Sequence, residues 1–289
     1  MGLLDAKVVI VTGAGRGLGR AYAIAAGEAG ASVVVNDIDA ATAASTVAEL
    51  TERHVPAVAA VGAADASGVG DEITATALRA FGRVDGIVAN AGVMRAASFW
   101  EETSENLEWH FRVNVVGVAN AVIPAARAMR ESGGGGSVIL VTSGARTGLP
   151  GIGAYGASKG AVATLAWTWA AELANEGIRV NAISPVANTD MFALAVNQLA
   201  QPREPERIAP IVTYLLSDRA RLITGQIFRF TGTVVGLYPS PVTLSAEASI
   251  DEWTAETLAG AVEGPLAAGV ADVSSGSDLV MVPLGRVAR

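Results

Sequence analysis

A tyrosine and a lysine stand four residues apart in the segment AYGASKG, residues 154–160. If this segment is helical, Tyr155 and Lys159 lie on one face, one turn apart. Two interpretations fit the spacing: a solvent-facing ring packed on a lysine stem, or an ammonium group placed to favour ionisation of the phenol. A free phenol has a pKa of about 10, and a positive charge beside it stabilises the phenolate. The second interpretation makes Tyr155 a group that accepts and returns a proton near neutral pH.

A glycine-rich segment, VTGAGRGLG at residues 11–19, follows a predicted strand and precedes a predicted helix. Gly13, Gly17 and Gly19 carry no side chains, so the backbone and the start of the helix can approach a pyrophosphate closely. No Gly-Lys-Ser/Thr sequence follows, which excludes a P-loop. The segment therefore predicts a dinucleotide-binding turn.

Asp37 ends the second predicted strand in VVVND, where its carboxylate can accept hydrogen bonds from an adenosine ribose. The same charge would repel a 2′-phosphate and so favours NAD over NADP. Arg16 in the glycine-rich segment is the opposing feature, since a nearby arginine can hold that phosphate. We give Asp37 more weight because its carboxylate would lie directly beside the ribose, and we expect NAD.

Short apolar runs rich in β-branched residues alternate with alanine-rich helical stretches. Continuous rather than alternating apolar runs are typical of parallel strands that are buried on both faces. Strands are predicted near residues 7–12, 32–36, 57–61, 84–89, 137–142, 178–183 and 226–231. Helices are predicted near residues 17–29, 39–53, 67–81, 104–131, 155–175 and 204–217. The alternation predicts an α/β protein with a doubly wound, seven-stranded parallel sheet, a Rossmann fold.

No Pro/Ser-rich linker and no internal repeat divides this pattern, so residues 1–238 are predicted to form a single domain. From residue 239 to residue 289 the alternation dissolves into Pro-, Ser- and Gly-containing sequence with one short helical piece. We interpret this part as a C-terminal extension, partly irregular, that could serve as an oligomer arm.

Composition excludes several kinds of site. The 289 residues include no cysteine, which rules out disulfides, thiolate metal sites and a cysteine nucleophile. His54 and His110 each lack a partner at metal-ligand spacing, so they are interpreted as surface or core-edge imidazoles and no metal is expected. The net charge is −8 without a basic run, and no stretch reaches the ~18 apolar residues of a membrane span. We expect a cytoplasmic protein that binds neither nucleic acid nor membrane.

Taken in their order and spacing, these motifs resemble those of the short-chain dehydrogenase/reductase family. The matching segments are TGAGRGLG (12–19), NAG (90–92), VNVVG (113–117), VTSG (141–144), YGASK (155–159) and SPVANT (184–189). GLGRAYAIA (17–25) and ERIAPIVTYLLSD (206–218) look most like the (3R)-hydroxyacyl-CoA dehydrogenase units of peroxisomal-type multifunctional enzymes.

The resemblance implies an NAD-dependent enzyme that interconverts a secondary alcohol and a ketone. Tyr155 would be the general acid and base, Lys159 would also hold the nicotinamide ribose, and Asn114 would support a water chain that relays the proton. A serine hydroxyl would orient the substrate oxygen. In the family this serine usually precedes the tyrosine by thirteen residues, where this chain has Thr142, whereas Ser143 precedes it by twelve. We favour Ser143 and keep Thr142 as the alternative.

The resemblance also assigns residues to the cofactor cleft. Asp65 is expected to meet the adenine, and residues 90–92 are expected to line the adenosine side. Residues 185–191 are expected to wall the nicotinamide, although ordinary strand-end packing explains Val186 and Met191 equally well. The predicted cofactor-binding residues are Gly13, Arg16, Gly17, Leu18, Gly19, Asp37, Asp65, Asn90, Ala91, Gly92, Tyr155, Lys159, Pro185, Val186, Thr189 and Met191.

The substrate is open to more than one interpretation. Fewer than twenty residues separate Pro185 from the helix predicted near residue 204, and they are apolar in MFALAV (191–196). A short apolar lid suits a long ligand such as a 3-hydroxyacyl-CoA, yet a hydroxysteroid or another bulky alcohol fits the same wall. A non-catalytic dinucleotide sensor is disfavoured because Asn114, Ser143, Tyr155 and Lys159 are all present. The resemblance further suggests a homo-oligomer, either a tetramer or a dimer.

Overall fold

A computed structural model describes residues 2–187 and 203–239 of the chain. The strands in these residues are β1 (Val8–Thr12), β2 (Ser32–Asp37), β3 (Ala57–Val61), β4 (Gly86–Ala89), β5 (Gly136–Val141), β6 (Ile178–Pro185), β7 (Ile227–Phe230) and β8 (Val235–Leu237). The α-helices are α1 (Gly17–Glu28), α2 (Ala40–Glu52), α3 (Val69–Phe81), α4 (Ser104–Phe111), α5 (Gly117–Ser132), α6 (Gly153–Leu173) and α7 (Ala209–Leu216). The predicted alternation of strands and helices is confirmed.

The strands form one sheet in the order β3-β2-β1-β4-β5-β6-β7-β8. All neighbours from β3 to β7 pair in parallel, as predicted for a doubly wound sheet. The eighth strand, β8, was not predicted and pairs antiparallel to β7. It is short, with Val235 and Leu237 exposed, so it lacks the continuous buried run by which the other strands are recognised.

Apolar side chains on both faces of the sheet explain why its strands are continuously hydrophobic. Along β1, Val9 and Val11 belong to the core on one face, where α1, α2 and α7 pack. Val8 and Ile10 belong to the core on the other face, where α3, α5 and α6 pack. Successive side chains of a strand point to opposite faces, so every residue of β1 is buried.

The order of the strands reverses at β1, which has β2 on one side and β4 on the other. In doubly wound sheets, ligands bind in the crevice outside the carboxyl ends of the strands at such a switch point. The segments that follow β1 and β4, which contain the glycine-rich turn and Asn90, therefore flank a ready-made cleft.

The single helix predicted near residues 104–131 is interrupted. Helix α4 begins after Thr103, whose side chain accepts a hydrogen bond from the Asn106 amide. Five residues, Arg112–Val116, then form a π-helical turn, and α5 continues the chain. A π-helical turn contains an extra residue and rotates the side chains on either side of it, and here it carries Asn114.

Residues 188–202 and 240–289 lie outside the described part of the chain. The predicted apolar lid segment MFALAV and nearly all of the predicted C-terminal extension fall within them. Among the helices in residues 2–187 and 203–239, none is long and apolar enough to cross a membrane.

Candidate active site

The glycine-rich turn between β1 and α1 has a backbone that only glycine fits. Gly13 and Gly17 have positive φ angles of 61° and 54°. A Cβ on Gly19 would lie 2.0 Å from the carbonyl oxygen of Gly13, so no side chain can be placed there. The first turn of α1 contains no acidic residue and begins without a capping side chain. Its backbone N–H groups, with Leu18 packed against the core behind them, suit an anionic group such as a pyrophosphate.

Asp37, at the carboxyl end of β2, is fixed by the glycine-rich turn itself. Its Oδ2 atom accepts a hydrogen bond from the Gly15 amide at 2.9 Å, and its Oδ1 atom accepts one from the Asp39 amide at 3.1 Å. A Cβ on Gly15 would lie 2.8 Å from Asp37 Oδ2 and 2.3 Å from Thr42 Oγ1. Gly15 was absent from the predicted cofactor-binding residues, although it is the second glycine of the motif, and the structure shows that it lets Asp37 approach the turn.

Asn90 joins the end of β4 to the glycine-rich turn. Its amide side chain donates to the carbonyl oxygens of Thr12 at 3.0 Å and Gly13 at 3.2 Å. The backbone amides of Asn90 and Ala91 both donate to Thr12 Oγ1 at 3.1 Å. These bonds hold residues 90–92 against the turn, so the structure brings two of the predicted motifs together. Thr12, which makes these links, was not recognised from the sequence.

Other predicted cofactor residues lie farther along the same edge. Asp65, which follows β3, accepts a hydrogen bond from Arg112 Nε at 3.0 Å, an ion pair that the sequence did not indicate. Pro185 ends β6, and the Val186 amide donates to the Phe230 carbonyl at 2.9 Å, which is ordinary strand-end pairing. Thr189 and Met191 lie outside the described residues.

Tyr155 and Lys159 lie one turn apart on α6, and both are buried. The Lys159 ammonium donates to the carbonyl oxygen of Val141 at 2.8 Å and lies 5.9 Å from the centroid of the Tyr155 ring. Burial lowers the pKa of Lys159 to about 8, since the ammonium has lost water contact. These geometries exclude the first interpretation of the spacing, a surface pair.

Without a cofactor, the pKa of the Tyr155 phenol is not lowered. Burial raises the pKa of Tyr155, and a hydrogen bond with the Ser143 side chain opposes that rise. The Lys159 ammonium donates its hydrogen bond to the Val141 carbonyl. Any lowering below the ordinary value of a phenol needs a further positive charge in the cleft.

The hydroxyls of Thr142 and Ser143 point in different directions. Thr142 is buried, and its Oγ1 donates to the backbone carbonyl of Lys159 at 2.7 Å. Ser143 lies two residues beyond the end of β5, accepts a hydrogen bond from the Ala145 amide at 3.2 Å and interacts with the Tyr155 side chain. Consecutive residues in an extended chain project to opposite sides, and of these two hydroxyls it is that of Ser143 that faces Tyr155.

Asn114 is fully buried and tied to two segments of the site. Its Oδ1 accepts from the Val93 amide at 2.8 Å, and its Nδ2 donates to the Val93 carbonyl and to Ser158 Oγ, each at 3.0 Å. A Cβ on Gly92 would lie 3.1 Å from Asn114 Oδ1 and 3.3 Å from Lys159 Nζ. A water molecule at that position would therefore reach both groups.

Apolar side chains surround the Tyr155 ring. Ala145 and Ile152 are buried with it, and Met94 and Leu149 pack against this cluster. The segment after β4 is joined to the segment before α6 by a β-bridge between Ala97 and Ile152. No group of three or more His, Cys, Asp or Glu residues suited to a metal occurs in the part of the chain that the structure describes.

Known proteins resemble the chain in sequence and in fold. Residues 7–199 match the family described as short chain dehydrogenase. A 3-oxoacyl-[acyl-carrier-protein] reductase of Synechocystis is 34% identical over 246 residues, which cover 81% of this chain and 99% of the reductase. Peroxisomal multifunctional enzyme type 2 of Mus musculus is 34% identical over 224 residues, which cover 74% of this chain and 30% of that enzyme. The crystal structure of a short chain dehydrogenase from Mycobacterium paratuberculosis bound to NAD has a TM-score of 0.75 and 31% identity, covering 80% of this chain and 98% of that one.

Proposed function

The chain belongs to the short-chain dehydrogenase/reductase family, and on that premise we propose that it is an NAD-dependent oxidoreductase that interconverts a secondary alcohol and a ketone. The observation that carries the proposal is the pairing of the Ser143 and Tyr155 side chains at the carboxyl edge of the sheet, with Lys159 buried behind them. A hydroxyl pair of this kind can hold one substrate oxygen and exchange one proton with it.

In the oxidation direction, Tyr155 takes the proton from the substrate hydroxyl while the carbinol hydrogen leaves as hydride. NAD, when bound, supplies the hydride acceptor. Ser143 donates a hydrogen bond to the same oxygen and fixes its position. In the reduction direction, Tyr155 returns the proton to the oxygen of the ketone.

Tyr155 then has to recover its protonation state without bulk water at its ring. Lys159 Nζ and Asn114 Oδ1 flank the space above Gly92, where a water can accept and pass on a proton. With Lys159 at a pKa of about 8, its ammonium can take part in this exchange near neutral pH. This supports a relay in which a water between Lys159 and Asn114 carries the proton between the cleft and solvent.

The residues of the cleft fit NAD. The uncapped first turn of α1 and the side-chain-free positions of the glycine-rich turn suit the pyrophosphate. Asp37 is anchored with its carboxylate at the end of β2, where it would meet the adenosine ribose and disfavour a 2′-phosphate. Lys159 would hold the nicotinamide ribose.

For the substrate, we propose a 3-hydroxyacyl thioester, most simply a 3-hydroxyacyl-CoA. One similar protein supports this choice by its name, a 3-oxoacyl-[acyl-carrier-protein] reductase. The apolar cluster of Met94, Leu149 and Ile152 beside Tyr155 would receive the acyl chain. Phe99 and Trp100, in edge-to-face contact at 5.2 Å and exposed, follow Ala97 of the Ala97–Ile152 bridge in the chain.

We also propose that the protein is a homo-oligomer, a dimer or a tetramer. The long helical segment from α4 to α5 exposes Leu107, Phe111, Val116 and Ile123, which are apolar side chains that a second copy would cover. Light scattering after size-exclusion chromatography gives the number of copies directly. A monomer at micromolar concentration would refute this part of the proposal.

A substrate panel tests the reaction. The purified protein is assayed at 340 nm with NAD and with NADP, on a 3-hydroxyacyl-CoA, its free acid and a hydroxysteroid. We expect the highest kcat/KM for the thioester with NAD. Turnover of the steroid without turnover of the thioester would keep the enzyme class and replace the substrate, whereas a preference for NADP would show that Arg16 outweighs Asp37.

A further inference from the structure

His110 is the least exposed titratable residue beside the site, although the sequence indicated only a surface or core-edge imidazole. Its exposed fraction is 0%, and its ring centroid lies 6.3 Å from that of Tyr155, at an interplanar angle of 66°. The mechanism above uses no atom of this side chain. Its complete burial among the groups of the active site therefore needs another explanation.

Two hydrogen bonds fix the ring of His110 in one neutral tautomer. Nδ1 lies 2.7 Å from the Asn106 carbonyl oxygen, which can only accept, so Nδ1 carries the hydrogen. Nε2 accepts a hydrogen bond from the backbone amide of Arg95 at 3.1 Å. The imidazole thus works as a rigid link between α4 and the segment that follows β4.

The same helical segment holds that loop at further points. Asn114, one turn beyond His110, binds both the amide and the carbonyl of Val93. The Arg95 guanidinium lies 4.6 Å from the centroid of the Trp109 ring. The backbone on each side of Met94 is therefore anchored, by Asn114 before it and by His110 after it.

Met94 is the residue between the two anchors, and it packs against the cluster that contains Tyr155. A methionine side chain has three rotatable bonds and adapts to whatever space its backbone allows. Its contact with the Tyr155 cluster consequently depends on how firmly residues 93 and 95 are held.

We propose that His110 is a positioning residue that keeps Met94 packed beside Tyr155, so that the phenol stays in one orientation and shielded from water. The inference rests on the proposed function, in which Tyr155 transfers the proton. His110 itself touches neither substrate nor cofactor, and it acts through the amide of Arg95.

Two substitutions separate this role from simple filling of the core. His110→Gln keeps an acceptor for the Arg95 amide and a donor for the Asn106 carbonyl, whereas His110→Leu keeps the bulk and loses both. We expect His110→Leu to lower kcat on the order of ten-fold, because small displacements of a reacting group are costly, and His110→Gln to stay within about two-fold of wild type. The dissociation constant for NAD, measured by fluorescence titration, should remain unchanged in both. The exposed His54, changed to Gln, is the control.

Amide hydrogen exchange tests the inference without any turnover. The Arg95 amide should be protected in the wild type and in His110→Gln, and should exchange at least ten-fold faster in His110→Leu, while the protection of β5 stays the same. Equal protection in all three proteins, or equal kcat for the Leu and Gln variants, would overturn the role of His110. If no substrate is turned over by the wild type, the proposed function fails, and the exchange result still decides whether His110 anchors the loop.

Discussion

The ammonium nitrogen of Lys159 donates to the backbone carbonyl of Val141 at 2.8 Å, although its side chain leaves α6 one turn after Tyr155. This bond pins the lysine across the carboxyl end of β5 and keeps a positive charge buried within reach of the cleft. Burying an ammonium disfavours its charged form, which is why the pKa of Lys159 is lowered to about 8. The buried position of Lys159 thus favours proton exchange in the cleft but lowers the free energy of unfolding.

Lys159→Met should therefore abolish most turnover and yet stabilise the fold at pH 7. The folded pKa of about 8 lies below the reference value of 10.5, so between these pH values the unfolded chain binds more protons than the folded one. The stability of the wild type must rise with pH in this window relative to the variant, which has no such group. Urea unfolding of both proteins at pH 7, 8, 9 and 10 measures this difference.

The stabilisation by Lys159→Met should be largest at pH 7 and should shrink towards pH 10. Parallel pH profiles for the two proteins would mean that Lys159 is not penalised by burial. The lost hydrogen bond to Val141, worth about 1 kcal/mol, works against the gain.

Substitutions of Ser143 and Thr142 should have different effects, the first on catalysis and the second on stability. Ser143→Ala removes the group that faces Tyr155, and we expect kcat/KM to fall by about 10–100-fold with little change in unfolding. Thr142→Val removes the bond to the Lys159 carbonyl, which should cost about 1 kcal/mol of stability and leave kcat/KM within a few-fold. The reverse ranking in steady-state assays would assign the substrate hydroxyl to Thr142.

Gly92→Ala probes the proposed water between Lys159 and Asn114. The new methyl group would lie 3.1 Å from Asn114 Oδ1 and 3.3 Å from Lys159 Nζ, in the space that the water would occupy. We expect kcat to fall on the order of ten-fold because the proton loses its path to solvent. A matched control is Gly160→Ala on α6, where an added Cβ meets nothing within 4 Å.

If a relay water matters, Gly92→Ala loses turnover while Gly160→Ala keeps it and gains up to about 1 kcal/mol of stability from its higher helix propensity. Full activity of Gly92→Ala would show that proton transfer does not need a water at this position. The KM for NAD should be determined for both proteins, so that a loss of cofactor binding is not mistaken for a loss of proton transfer.

Local patterns were enough to predict the sheet and much of the cleft. Most of the seven parallel strands are buried on both faces and appear in the sequence as continuous apolar runs, and β1 is the clearest case. The glycine-rich turn could be recognised because its backbone leaves no room for side chains, so glycine is required there. A side chain at Gly19, for example, would clash with Gly13. Helical periodicity predicted that Tyr155 and Lys159 lie on one face, but it fitted a surface pair as well, and their roles came from the family resemblance.

What the sequence did not reveal depends on contacts between distant segments. The partner of Lys159 is a carbonyl eighteen positions earlier, and the partner of Asp37 is an amide on another turn. His110 looked isolated because its partner, the amide of Arg95, is a backbone group that no residue pattern identifies. Strand β8 escaped prediction because it lies exposed at the sheet edge.

The central claim, that Tyr155 is the proton-transferring group of an NAD-dependent oxidoreductase, is tested most directly by Tyr155→Phe. The substitution removes one hydroxyl from a buried ring and preserves its packing against Met94 and Ile152. Steady-state turnover with the best substrate of the panel should fall by roughly 10²–10⁴, while the dissociation constant for NAD stays close to that of the wild type. Retention of more than about a tenth of the wild-type kcat would contradict the assignment, since general acid–base catalysis by this group would then contribute too little.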